Sequence, residues 1–162
     1  MKSILQTCAD IGATERQFAA GSVLLEEGAM SGLLYVLIEG VIEVARGETT
    51  IVVSSEPGSV FGEMSALLDA PHSATARTLT PTRAYVFEGS RDIIQSHPEI
   101  AFGVARILAQ RLQAATTYLV DIKRQYQDHE NHFAMVDEVL ESLVHQQGLF
   151  SPGSDRQRST TE

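Results

Sequence analysis

Cysteine is almost missing from this 162-residue sequence: Cys8 stands alone. No internal disulfide can form, and a reducing compartment follows as the default, so a cytoplasmic location is expected. Long apolar runs are missing too. No stretch approaches the roughly 18 residues that cross a bilayer, and the segment from Met1 to Ile11 carries Lys2 without the apolar core of a secretory signal. No membrane partner is expected. Positive charge is scarce: 12 Lys and Arg against 21 Asp and Glu give a formal net charge of −9. Nucleic-acid surfaces need clustered Lys and Arg, so DNA is not an expected partner. Histidine is sparse where strands are expected. His72 is the only one between Arg16 and Glu88, which argues against the H-x-H pairs of metal-dependent β enzymes. His129 and His132 sit three apart on an expected helix with no third ligand aimed the same way, and the expectation is no metal. No serine, cysteine or carboxylate constellation suggests catalysis, so the chain is not expected to be an enzyme.

What is present reads as an ordinary globular composition, 43% hydrophobic and 20% charged. From Arg16 to Glu88 short β-rich runs are punctuated by turn residues. The runs are Val23–Leu25, Leu33–Ile38, Val41–Ala45, Thr50–Val53 and Arg83–Phe87. Gly21, Gly28, Gly32, Gly40, Gly47, Pro57-Gly58 and Pro81 separate them. Many short strands without long intervening helices predict a mainly β domain, an antiparallel sandwich or jelly roll, with the antiparallel jelly-roll barrel the expected form. With short flanking helices it occupies residues 1–97.

After Gly89 the period changes. Ser90–His97 predicts a short helix, and Pro98 suits the first turn of a longer one. Apolar residues then recur at steps of four and three: Ala101, Ala105, Leu108, Leu112, Ala115, Leu119, Ile122 and Tyr126. The phase continues through Phe133, Val136, Leu140 and Leu143. Such a seam is that of a two-stranded coiled coil, and near the β domain it also fits packing on that domain. Residues 98–147 are therefore expected to dimerise, as one continuous helix about 70 Å long or as a pair broken near 127–131; the unbroken phase favours continuity. Residues 148–162, polar and carrying Pro152 and Gly153, read as a disordered tail.

The segment Phe61-Gly62-Glu63-Met64-Ser65-Ala66-Leu67-Leu68-Asp69-Ala70-Pro71-His72-Ser73-Ala74-Thr75 is the most specific. A turn enters a short helical stretch that begins with a carboxylate, and a second turn delivers a strand of small residues. Amides at the start of a helical turn face anions, and small residues let backbone approach a ligand. The segment resembles the cassette of the cyclic nucleotide-binding domain family, which reads roughly F-G-E, a short helix, then P-R-S-A-T. Phe18 to Gly28 is similar to that family's F-x-x-G-x-x-I-x-x-E-G, and Leu34 to Gly40 to its L-Y-x-I-x-x-G. Members that regulate transcription add a DNA-reading domain after the long helix; the acidic, helical remainder here does not read as one.

The resemblance implies a regulatory module whose ligand is a cyclic purine nucleotide, cAMP first and cGMP second. It implies a ligand-contacting set of Phe61, Gly62, Glu63, Met64, His72, Ser73 and Ala74. In that set Gly62 offers its amide, Glu63 takes the ribose 2′-hydroxyl, and Ser73 with the Ala74 amide faces the phosphate. Thr116 and Thr117, on the long helix, are candidates for the purine edge. A relay through a dimer helix, to an unidentified protein partner, would follow. His72 departs from the pattern, since it stands at the family's arginine. Histidine is shorter and mostly neutral at pH 7, with a reference pKa near 6.5. Either His72 protonates against the phosphate and gives a pH-sensitive site, or the domain no longer binds nucleotide and serves as a dimeric interaction scaffold. Arg77 on the following strand reads as an exposed strand arginine.

Overall fold

The computed structural model of the protein describes residues 2–125 and 134–145. Two compact units divide the chain, Met1–Leu108 and Ala109–Glu162. The first opens with α1 (Ile4–Asp10), β1 (Thr14–Phe18), β2 (Val23–Leu25), β3 (Leu33–Glu39), β4 (Ile42–Arg46), β5 (Thr49–Ser54) and β6 (Val60–Phe61). It continues with α2 (Glu63–Leu68), β7 (Thr75–Thr78), β8 (Thr82–Glu88), α3 (Ser90–Ser96) and the start of α4 (Pro98–Gln125); α5 is Ala134–His145.

The strands pair antiparallel in two four-stranded sheets, ordered β1-β8-β3-β6 and β2-β7-β4-β5. This is the expected jelly roll with helices after it, except that the two ladders stay separate and do not close into a barrel. Successive side chains of β3 point to opposite faces, and both faces are covered. Leu34 and Val36 pack with Cys8, Phe87, Ile94, Ile100 and Val104, joining the sheet to α1, α3 and α4. Tyr35 and Leu37 face the second sheet, packing with Leu24, Leu25, Ile42, Ala76, Ala84 and Val86. Double coverage explains why Leu33–Ile38 is nearly all apolar. Burying a side chain such as Ile100, which has no exposed surface, contributes about 1.5–3 kcal/mol.

β1, β6 and α1 were not marked by the sequence pattern. β1 is mostly exposed polar residues, TERQF, and β6 has only two residues, so neither carries a readable alternation. α3 and the start of α4 at Pro98 match the expected helix boundaries.

In the second unit Lys123 near the end of α4 forms an ion pair with Asp137 of α5. Fourteen residues along a straight helix span about 21 Å, so α5 returns beside the end of α4. Of the two forms the sequence left open, one helix or a helix pair, this contact fits the pair. Residues 126–133, where the break was expected, lie outside the described residues, as do His129, His132 and the tail from 146. Leu119, Ile122, Val136, Val139 and Leu140 are half-buried, and among the described residues none of this unit is fully buried.

Candidate functional site

β6 enters the cassette by pairing with β3, Phe61 opposite Tyr35. Phe61 is buried, and Tyr35 meets Phe18 edge to face at 5.9 Å. At Gly62 the backbone turns to φ 94°, and a Cβ there would lie 2.3 Å from the carbonyl oxygen of Leu33. Only glycine satisfies both demands. Glu63 opens α2 and is 3% exposed, a burial that is exceptional for a carboxylate. Met64 points outward and is exposed.

α2 ends at Asp69, which adopts the left-handed conformation, φ 52°. Ser65 holds the turn that follows: its Oγ donates to the carbonyl of Ala70 and its own carbonyl accepts from the Ala70 amide. Arg91 of α3 pairs with Asp69 at 3.1 Å. The chain then docks on the loop between β2 and β3. The amide of His72 donates to Ala29 O at 2.9 Å, and the amide of Gly28 donates to His72 O at 2.8 Å. The Glu27 amide donates to Thr75 Oγ1 at 3.0 Å.

The His72 side chain turns the same way. Nε2 lies 2.7 Å from Ser31 Oγ, the residue is 5% exposed, and burial pushes its pKa below the ordinary histidine value. Desolvation disfavours the imidazolium, so these surroundings oppose the protonated role the sequence suggested. Ser73 is exposed and Ala74 half-buried. The carbonyl of Ser73 accepts from Arg46 Nε at 2.9 Å.

Phe61 to Ala74 thus form one continuous, hydrogen-bonded segment in the first unit. Thr116, half-buried, and Thr117, exposed, lie on α4 in the second unit. Sequence reasoning passed over Ser31 and Arg46. The loop holding Ser31 carries no periodicity; Arg46 follows Ile42 and Val44 at steps of two but is exposed and lies one residue past the expected run Val41–Ala45. Arg77 occupies the opposite face, opposite Glu43 in the ladder and in an ion pair with it. Among the described residues no cluster of three His, Cys, Asp or Glu could hold a metal ion. No described helix is long and apolar enough to cross a membrane.

Residues 15–92 match the family model of the cyclic nucleotide-binding domain. The CRP-like cAMP-activated global transcriptional regulator of Mycobacterium tuberculosis is 30% identical over 111 residues, 65% of this chain and 50% of that protein. The chain therefore spans about half the length of that relative. An uncharacterized ABC transporter ATP-binding protein of the same organism is 39% identical over 69 residues, 40% of this chain and 21% of its own. Among solved structures, the Thermus thermophilus catabolite activator protein shares the fold, with a TM-score of 0.59 at 24% identity over 74% of this chain and 59% of that one. Residues 15–92, just under half of the chain, are thus similar to the cyclic nucleotide-binding domain family.

Proposed function

We propose that the first unit binds cAMP as a regulatory ligand, with cGMP the weaker alternative. The observation that carries this reading is the turn at Gly62, where a left-handed φ and the nearby Leu33 carbonyl admit no side chain. Glycine adopts this conformation without strain and is the residue used where backbone approaches a ligand closely. Gly62 offers its amide, Glu63 accepts from the ribose 2′-hydroxyl, and Ser73 with the Ala74 amide faces the phosphate. Phe61 and Met64 flank that turn, and His72 fixes the loop. The choice of adenine is supported by the relative named as cAMP-activated.

The second unit self-associates in this reading. Leu112, Tyr118, Met135 and Leu143 are exposed, and half-buried apolar positions on α4 and α5 need a further layer to complete their burial. A dimer of helix pairs supplies it, and ligand occupancy is relayed to the extent that nucleotide prefers one arrangement of those helices. The buried His72 ring is the observation that favours a non-binding dimeric scaffold instead. Thermal denaturation with millimolar cAMP or with linear 5′-AMP separates the readings. Ligand that binds only the folded state raises the melting temperature, so cAMP should raise it and 5′-AMP should not. Identical melts with cAMP, cGMP and buffer would favour the scaffold.

A further inference from the structure

We propose that Arg46 supplies the fixed positive charge facing the nucleotide phosphate, while His72 positions the loop without touching the anion; this rests on the nucleotide-binding reading above. β4 alternates regularly against β7, with Ile42 opposite Thr78, Val44 opposite Ala76 and Ala45 opposite Thr75. Ile42 and Val44 pack inward against the core between the sheets. Arg46, two positions on, falls on the same side of the strand by alternation and is exposed at the strand's end. Its Nε donates to the carbonyl of Ser73 at 2.9 Å, which holds the guanidinium beside Ser73 and Ala74. The remaining N–H groups of Arg46 meet no acceptor among the described residues. A planar fork with one arm anchored and the others open is suited to phosphate oxygens.

The other cations near the cassette are committed elsewhere. Arg77 lies on the outer face, paired with Glu43. Arg91 pairs with Asp69 at the far end of α2. His72 is 5% exposed with its Nε2 on Ser31. The neighbouring carboxylate, Glu27, accepts from the Gly47 amide at 2.8 Å and forms no ion pair with Arg46. In this assignment the charge stands at the end of β4 instead of at position 72 in the loop before β7.

Calorimetric titration of the full chain with cAMP at about pH 6 and about pH 8 tests this assignment, because guanidinium does not titrate in that range while imidazole does. Arg46→Gln should weaken binding about ten- to hundred-fold at both pH values. Arg77→Gln should bind as the unaltered chain does, and affinity should not rise at the lower pH. Melting of Arg46→Gln without nucleotide checks that it folds; Arg46→Met, which keeps the aliphatic stem, replaces it if it does not. If the unaltered chain binds and the Arg46 variant binds within about twofold of it, the assignment is overturned and the nucleotide-binding reading stands. A flat titration of the unaltered chain removes that reading and this assignment together.

Discussion

His72 Nε2 and Ser31 Oγ stand 2.7 Å apart, and that contact begins a short chain of fixed groups leading to Gly62. The same Ser31 oxygen accepts from the Leu33 amide at 3.2 Å. The Leu33 carbonyl is in turn the atom that leaves no room for a side chain at Gly62. Both ends of the cassette, Gly62 before α2 and His72 before β7, are thereby set by residues 31–33 of a single loop and strand. His72 is buried and Ser31 exposed, so the contact fixes loop geometry from the histidine side: a ring nitrogen left without its partner carries the desolvation penalty.

The histidine's burial gives stability a defined pH dependence. Its pKa in the fold lies below the unfolded value because burial disfavours the cation. The unfolded chain therefore binds more protons below roughly pH 6.5, and the stability His72 contributes is complete above that pH and lost as pH falls through the folded pKa. Denaturant unfolding between about pH 7 and about pH 5 should show a steeper loss for the unaltered chain than for His72→Gln. Parallel slopes would mean that the ring is solvated.

Gly62→Ala should destabilise the domain by at least about 1–3 kcal/mol from backbone strain alone. The contact with the Leu33 carbonyl adds to that cost. The check is a denaturant midpoint, with Gly47→Ala as the comparison. Gly47 also has positive φ, but a Cβ there meets nothing within 4 Å. The Gly62 variant should lose clearly more.

Glu63 is assigned to the ribose 2′-hydroxyl, and that assignment has its own signature. Glu63→Gln should lower cAMP affinity by about 1.5–3 kcal/mol, the worth of a charge-assisted hydrogen bond. It should leave the affinity for 2′-deoxy-cAMP unchanged. Titration of both nucleotides against both proteins reads the difference, and an equal loss for the two ligands would place Glu63 in a purely structural role.

Self-association through the second unit is checked by light scattering on the full chain. Leu119→Glu and Leu140→Glu each put a carboxylate on a half-buried apolar position of that unit, a change that opposes burial against a second copy. The unaltered chain should be a dimer and these variants monomers. A mass unaffected by either change would locate any interface elsewhere.

Much of this organisation was legible in the residues. The run Leu33–Ile38, the change of period after Gly89 and the start at Pro98 each carry a physical signal that survives folding. The cassette was legible because Gly62, Glu63, Pro71 and the small residues after it stand at a fixed spacing. The rotation of His72 towards Ser31 was not, since a partner 41 residues away leaves no trace in local pattern. The separation of the two sheets and the return of α5 to Lys123 likewise depend on long-range pairing. Arg46 lies one residue past the run Val41–Ala45, and its contact with Ser73, 27 residues away, leaves no trace in local pattern.

Calorimetric titration of the unaltered chain with cAMP and with cGMP at neutral pH bears most directly on the account. The expected result is saturable binding of one cAMP per chain, with cGMP weaker. Heats no different from dilution for both nucleotides, at millimolar ligand, would contradict it.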